Sequence, residues 1–311
     1  MLGLASFLIL LAINTRTDRY QRRSEIDIDP PRFLVRAAMA MAVAHLLPQL
    51  SAEGNGASRN RMAILLILQL FLLTALGVDG AASFIFTNAC KHAVWVGALH
   101  GASSPPLARS GFYLAPSATS SMDAPSSGTW SGTLWARTGC VADPATGRFS
   151  CATADCGTGD VACQGRGPAP PVSLVEVTLA APGSGRPDFY DVSLVDGFNV
   201  PVRVAPSGGG GDCRPAACAG DVNAVCPGDL RVVASSGGGV VACKSACIAY
   251  GSARYCCTGQ YGTPAMCGPT NYSQVFKSAC PSAYSYAYDD ATSTFTCSGP
   301  SSYSVTFCPA N

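Results

Sequence analysis

The stretch Asp188-Phe-Tyr-Asp-Val-Ser-Leu-Val-Asp-Gly-Phe-Asn-Val-Pro201 carries both a packed face and a set of acids in a few residues. Tyr190, Val192 and Leu194 share one face of a period-two strand, and Asp191 and Ser193 share the other. That is the pattern of an antiparallel strand packed on one side and wet on the other. Asp196 breaks the alternation, because in a regular strand it and Asp191 would point to opposite faces. The Asp196-Gly197 pair therefore predicts a bulge or turn that re-aims the second acid. Two carboxylates held close by rigid backbone make a candidate site; the competing reading has both acids closing turns and pairing with arginines.

Other segments extend the β reading. Ser83-Phe-Ile-Phe-Thr-Asn88, Ala93-Val-Trp-Val-Gly97 and Thr129-Trp-Ser-Gly-Thr-Leu-Trp-Ala-Arg-Thr138 are rich in branched and aromatic residues and bounded by turn formers. Trp135 and Arg137 fall on one parity. Short strands at regular spacing predict a mainly β chain built as a β-sandwich. The best helix candidate is Val240 to Tyr250, where Val241, Lys244 and Ile248 recur at helical spacing, although a disulfide-pinned loop fits equally. The run Ser207-Gly-Gly-Gly-Gly211 reads as a flexible connector or hairpin tip.

The chain has 311 residues and sixteen cysteines, none of them in the first eighty positions. An even count behind an apolar export-type segment predicts a disulfide framework formed in an oxidising compartment. Zinc is disfavoured, since no C-x2-C pair occurs and only His92 and His100 follow residue 82. The same shortage of histidine, with no G-x-S-x-G elbow, argues against a serine or cysteine hydrolase. Basic and acidic residues nearly balance, so no basic field exists to hold nucleic acid. Two segments look stapled: 139 to 171, and 213 to 280, where Gly, Pro and Cys are dense and the core must be small.

Residues 1 to 61 read as a gene-model extension or an unstructured leader, with two apolar runs each shorter than the roughly twenty residues a bilayer core needs. Met62 then opens a basic flank, an apolar region and a small-residue exit, the layout of a secretory signal peptide over 62 to 81. Cleavage within Gly80 to Ala82 is expected, with Met62 as the working start.

Gly147-Arg-Phe-Ser-Cys151-Ala-Thr-Ala-Asp-Cys156, followed by Cys163, resembles the signature of thaumatin-like proteins, the pathogenesis-related plant defence family. So do Trp135-Ala-Arg-Thr138, Phe189 to Asn199, Tyr255-Cys-Cys257 and Cys280-Pro-Ser-Ala-Tyr-Ser-Tyr286. The resemblance covers essentially 82 to 311. It implies a thaumatin-like β-sandwich (82 to 138, 172 to 219 and 281 to 311), a small stapled domain (139 to 171) and a loop-and-helix domain (220 to 280). It also implies a pairing: Cys90 with Cys308, Cys140 with Cys151, Cys156 with Cys163, Cys213 with Cys297, Cys218 with Cys280, Cys226 with Cys243, Cys247 with Cys256, and Cys257 with Cys267.

Antifungal members of the family line an interdomain cleft with one arginine and four acids. The resemblance places the acids at Glu176, Asp191, Asp196 and Asp289, with Asp290 an alternate for the last. On Ser173 to Leu179, Glu176 sits opposite the parity of Val175, Val177 and Leu179, so it can face a cleft while the strand packs. The arginine position, two before Trp135, is held by Thr133. Arg137 lies roughly 13 Å along the strand, belongs to a separate motif, and is not expected to replace it.

The resemblance implies a secreted, extracellular (apoplastic) defence protein that acts as a monomer, needs no cofactor or metal, and binds β-1,3-glucan of fungal walls. Carboxylates would accept sugar hydroxyls and aromatic rings would offer stacking faces. Tyr272 and Phe276 are rim candidates, core packing being the expected role of Phe276. The alternatives are a weak endo-β-1,3-glucanase with Glu176 as acid and Asp196 as its partner, or a membrane-permeabilising or enzyme-inhibiting protein. Without the arginine that would hold one acid ionised, binding is favoured over efficient hydrolysis. Asn271-Tyr-Ser273 is the single glycosylation sequon after residue 82.

Overall fold

A computed structural model describes residues 82–234 and 237–310; the expected leader, signal peptide and cleavage site at Gly80 to Ala82 fall outside or at the edge of these residues. Along the chain the first strands are β1 (Ser83–Asn88), β2 (Val94–His100), β3 (Gly111–Leu114), β4 (Thr119–Asp123) and β5 (Trp130–Arg137). The short β6 (Val141–Ala142) and β7 (Phe149–Ser150) follow, then β8 (Leu174–Leu179), β9 (Asp188–Ser193), β10 (Val202–Ser207) and β11 (Ala216–Cys218). The last are β12 (Arg231–Val233), β13 (Val240–Cys243), β14 (Phe295–Cys297) and β15 (Ser302–Phe307).

Two sheets carry the fold: one of five strands in the order β11-β10-β15-β1-β4, the other of six in the order β14-β9-β8-β5-β2-β3. Their inner faces meet over one core, because alternation turns Phe84, Phe86, Tyr303 and Val305 of the first sheet toward Val96, Leu134, Val175, Tyr190 and Val192 of the second. Aromatic edges interlock there, with ring centroids 5.3 Å apart for Phe84 and Trp130 and 5.4 Å apart for Tyr190 and Tyr303. Strands β1 and β15 pair in parallel, and the Cys90–Cys308 bond closes just beyond their ends. Asp188 is a structural acid: buried, it accepts from the Ala180 amide (2.7 Å) and the Tyr303 hydroxyl (2.8 Å) and so joins the two sheets.

The outer face of the six-stranded sheet is covered in part by a second, smaller core of Trp135, Val172 and Leu174 against Ala154, Cys156 and Cys163. The Trp135 ring lies across Gly97 of the neighbouring strand, where any Cβ would come within 2.2 Å of it. Arg137, on the same parity, is fully buried and donates to the carbonyls of Trp95, Val96 (3.1 Å) and Val161 (2.6 Å). Its guanidinium thus ties the stapled segment to β2, and burial lowers its pKa to about 10. Arg137→Lys and Arg137→Leu are both expected to destabilise the fold by about 3 kcal/mol or more, since neither supplies a fork to three buried carbonyls. Denaturant unfolding checks this; a loss under about 1 kcal/mol for the lysine variant would contradict it.

All sixteen cysteines are bonded, in eight pairs. Cys140–Cys151 and Cys156–Cys163 staple the segment beneath Trp135, and Cys213–Cys297 joins the chain leading into β11 to β14. Cys218–Cys280, Cys226–Cys243, Cys247–Cys256 and Cys257–Cys267 hold the region of short helices. Those helices are α1 (Val222–Val225), α2 (Ala246–Tyr250), α3 (Ala253–Cys256), α4 (Asn271–Ala279) and α5 (Asp290–Ser293).

Two local expectations are corrected. The candidate helix Val240 to Tyr250 is strand in its first half, because Val240–Cys243 pairs with β12, and α2 starts only after Ser245 caps the Ile248 amide. The glycine run is not a free connector: Gly210 exchanges both backbone hydrogen bonds with Ser298, and a Cβ at Gly209 would meet Cys297 Sγ at 2.8 Å. The longest helix among the described residues, α4, has no period signal in the sequence. Its start is marked by Thr270 and Ser273, which form a reciprocal capping box, and its buried side is little more than Ser273 and Phe276.

Candidate functional site: an acid-lined groove on the outer sheet face

Register brings the site together. Leu99 pairs with Thr133, Thr133 with Glu176, and Glu176 with Asp191, so one row of side chains crosses β2, β5, β8 and β9. The adjacent row on this face is Ser131, Thr178 and Phe189. These two rows floor a groove of about 270 Å³ that reaches His100. Its lining holds two acids, Glu176 and Asp191, and no lysine or arginine.

Asp196 arrives by a turn. β9 ends at Ser193, the Gly197 amide donates to the Leu194 carbonyl (2.9 Å), and Gly197 adopts φ +95°. A side chain at 197 would meet the Cys243 carbonyl at 2.5 Å, so glycine is required both by conformation and by space. The turn returns Asp196 toward Glu176, whose pKa is raised by burial and then by the Asp196 charge, with a Ser193 hydrogen bond opposing. Burial raises Asp196 as well.

Asp191 is the most perturbed acid. Burial, then Glu176, then Asp290 push its pKa up to about 8, and its buried Oδ1 has no hydrogen-bond partner among the described residues. A carboxyl in that position holds a proton at neutral pH.

The fourth acid divides. Asp289 is drawn into an ion pair with Lys277 (2.9 Å) and accepts from the Ser285 amide and hydroxyl (3.0 and 2.8 Å). Asp290, the alternate, is exposed, accepts from the Tyr284 hydroxyl (2.7 Å), and is the one whose charge reaches Asp191. Lys277 points back from α4, a partner that no spacing in the sequence announces. Phe276 is buried in the main core and Tyr272 is half-buried. Asn271 of the sequon is exposed at the first turn of α4.

Among the lining residues that the sequence did not assign to the site, one is an exposed aromatic. Phe189 is 48% exposed beside the acids. It shares the parity of Asp191, so the period-two reading that separated Tyr190 from Asp191 already held the signal.

A two-sheet sandwich with eight disulfides and an acid-lined outer groove defines a class. The Thaumatin family model matches residues 88–309, and the chain belongs to the thaumatin family, a family of plant defence proteins. It is 53% identical over 251 residues to "Thaumatin-like protein 1a" of Malus domestica, covering 81% of this chain and 99% of that protein. It is 51% identical over 252 residues to "Pathogenesis-related thaumatin-like protein 3.5" of Cryptomeria japonica, covering 80% and 100%. "Glucan endo-1,3-beta-glucosidase" of Prunus avium is 50% identical over 250 residues, covering 80% of this chain and all of that one.

Proposed function

We propose that this is a secreted defence protein that binds β-1,3-glucan of fungal walls in the groove between Thr133 and Asp191, with antifungal action as the outcome. The observation that carries the reading is the in-register row Thr133–Glu176–Asp191 beside an exposed Phe189. Glu176 and Asp196 accept sugar hydroxyls, a protonated Asp191 donates one, and Phe189 offers a flat apolar face to a pyranose ring. The relative named as a glucan endo-1,3-beta-glucosidase supports this substrate class. The fully bonded cysteines fit an oxidising, extracellular setting. In this reading the sandwich, the stapled segment and the loop-and-helix region act as the three parts described above.

Weak hydrolysis is the second reading, and one observation favours it. Glu176 and Asp191 face each other across adjacent strands, where Cβ atoms stand about 5 Å apart. The two carboxyls are therefore neighbours, and glycoside hydrolysis needs such a pair with one member held protonated. In that case Asp191 takes the acid role that the sequence assigned to Glu176, with Glu176 or Asp196 ionised. No lysine or arginine lines the groove to keep the ionised partner fixed, so binding is favoured over turnover.

The experiment is a titration of isotope-labelled protein with a β-1,3-linked glucose hexasaccharide, followed by backbone amide shifts. The expected result is movement concentrated at 99–101, 131–133, 176–178 and 189–197. Shifts confined to other surfaces, or none at millimolar sugar, would count against the reading.

A further inference from the structure

We infer that the tyrosine cluster of exposed Tyr250 with half-buried Tyr255 and Tyr272, together with Asp229, is a second carbohydrate-binding surface that takes a neutral oligosaccharide. The site is separate from the acid groove and does not depend on the reading given for it.

Four elements build it. Asp229 sits in a short 3-10 turn (Gly228–Leu230), Tyr250 ends α2, Tyr255 lies in α3 and Tyr272 in the first turn of α4. Ring centroids are 5.5 Å apart for Tyr250 and Tyr255, 5.6 Å for Tyr250 and Tyr272, and 5.8 Å for Tyr255 and Tyr272. The Tyr250 and Tyr272 hydroxyls both donate to Asp229 Oδ2, the latter at 2.5 Å, and their oxygens lie 2.7 Å apart. Disulfides Cys247–Cys256 and Cys257–Cys267 fix the backbone beneath, so the arrangement exists before any ligand arrives.

The geometry selects the ligand class. The rings fill the space between themselves, so they cannot enclose a cation as an aromatic cage does, and a ligand meets only their outward faces. The cavity behind Tyr255 and Tyr272, shared with Val195 and Tyr286, is about 20 Å³, too small for a sugar ring. Tyr250 packs against the other two rings and still remains 45% exposed, so part of its ring is open to a ligand. The two phenols donate to Oδ2 and orient the carboxylate, which keeps a charged acceptor beside the rings. An anionic ligand is repelled by Asp229, and a purely apolar one makes no use of it. A pyranose satisfies both features, laying its C–H face on a ring while a hydroxyl donates to the Asp229 carboxylate.

The test titrates labelled parent protein with hexasaccharides of β-1,3-glucose, β-1,4-glucose, β-1,4-N-acetylglucosamine and, as an anionic control, α-1,4-galacturonate. At least one neutral sugar is expected to move amides within 248–256 and 270–274, and the uronate is expected not to. Tyr250→Ala should weaken that interaction roughly three- to tenfold, one ring's stacking contribution, while Tyr250→Phe should change it by no more than about twofold. Glu176→Gln, which alters the groove, should leave these particular shifts in place; their survival when the groove shifts vanish separates failure of one site from failure of the other. The inference is overturned if no neutral sugar moves these amides. It is also overturned if the uronate binds as well, or if Tyr250→Ala lowers the melting temperature but leaves the affinity at the parent value, which would make the cluster a clasp between helices only.

Discussion

Reduced with a strong thiol at moderate temperature, the protein should lose its β-type circular dichroism and its near-ultraviolet signal together. The reason lies in where its regular structure is thin. Between 139 and 171 the regular elements are β6 and β7, two residues each, and between 220 and 280 no helix exceeds the nine residues of α4. Segments of that kind cannot bury enough apolar surface to offset their ordering entropy. Six of the eight bonds have at least one cysteine in these two segments, and Cys90–Cys308 spans 218 residues. Each bond stabilises by roughly 2–4 kcal/mol through the unfolded chain, not additively, against a net stability of about 5–15 kcal/mol for an ordinary domain. Loss of even a few therefore exceeds the margin. Retention of both signals after complete titration of the thiols would show that the sandwich core suffices alone.

The second large effect concerns Asp191 and the empty arginine position. Carbon-detected titration should find one carboxyl with a midpoint near 8, belonging to Asp191, with Glu176 and Asp196 above their ordinary values. A carboxyl raised on folding favours the native state while protonated. Its contribution is complete below the unfolded value near 4 and is lost as pH rises through the folded value near 8. Asp191→Asn should consequently match the parent in unfolding free energy near pH 4 and exceed it near pH 9, by at least about 1 kcal/mol. Thr133→Arg places a guanidinium opposite Glu176 and two strands from Asp191, so both titrations should move down and the alkaline loss of stability should shrink. If the difference between Asp191→Asn and parent is the same at every pH, the carboxyl is not held protonated by the groove.

Much of this geometry was legible in single strands. The alternation in 188–194 and 173–179 separates core from groove face, and the register in the structure turns those separate parities into one row. The Asp196-Gly197 turn was readable because an aspartate-glycine pair after a strand has few other uses. What the sequence did not disclose depends on distant chain. Lys277 captures Asp289 from a helix whose burial is too slight for a period signal, and Asp229 meets Tyr250 and Tyr272 only because four disulfides fold short elements onto one another. Tertiary pairing also overrode local preference at 240–243, where apolar spacing suits a helix but an edge on β12 was available.

The central claim is that the acid row, with Asp196 beside Glu176, is the glucan-binding surface. Incubation with insoluble β-1,3-glucan, measuring depletion of protein and release of reducing sugar in the same tube, tests it most directly when parent and Asp196→Asn are compared. Asparagine keeps the side-chain size and leaves the turn at Gly197 intact, so the fold is expected to survive. The account predicts that the parent is depleted with little sugar released and that Asp196→Asn stays mostly in solution. Equal depletion of the two proteins would contradict it and move the activity to another face of the molecule.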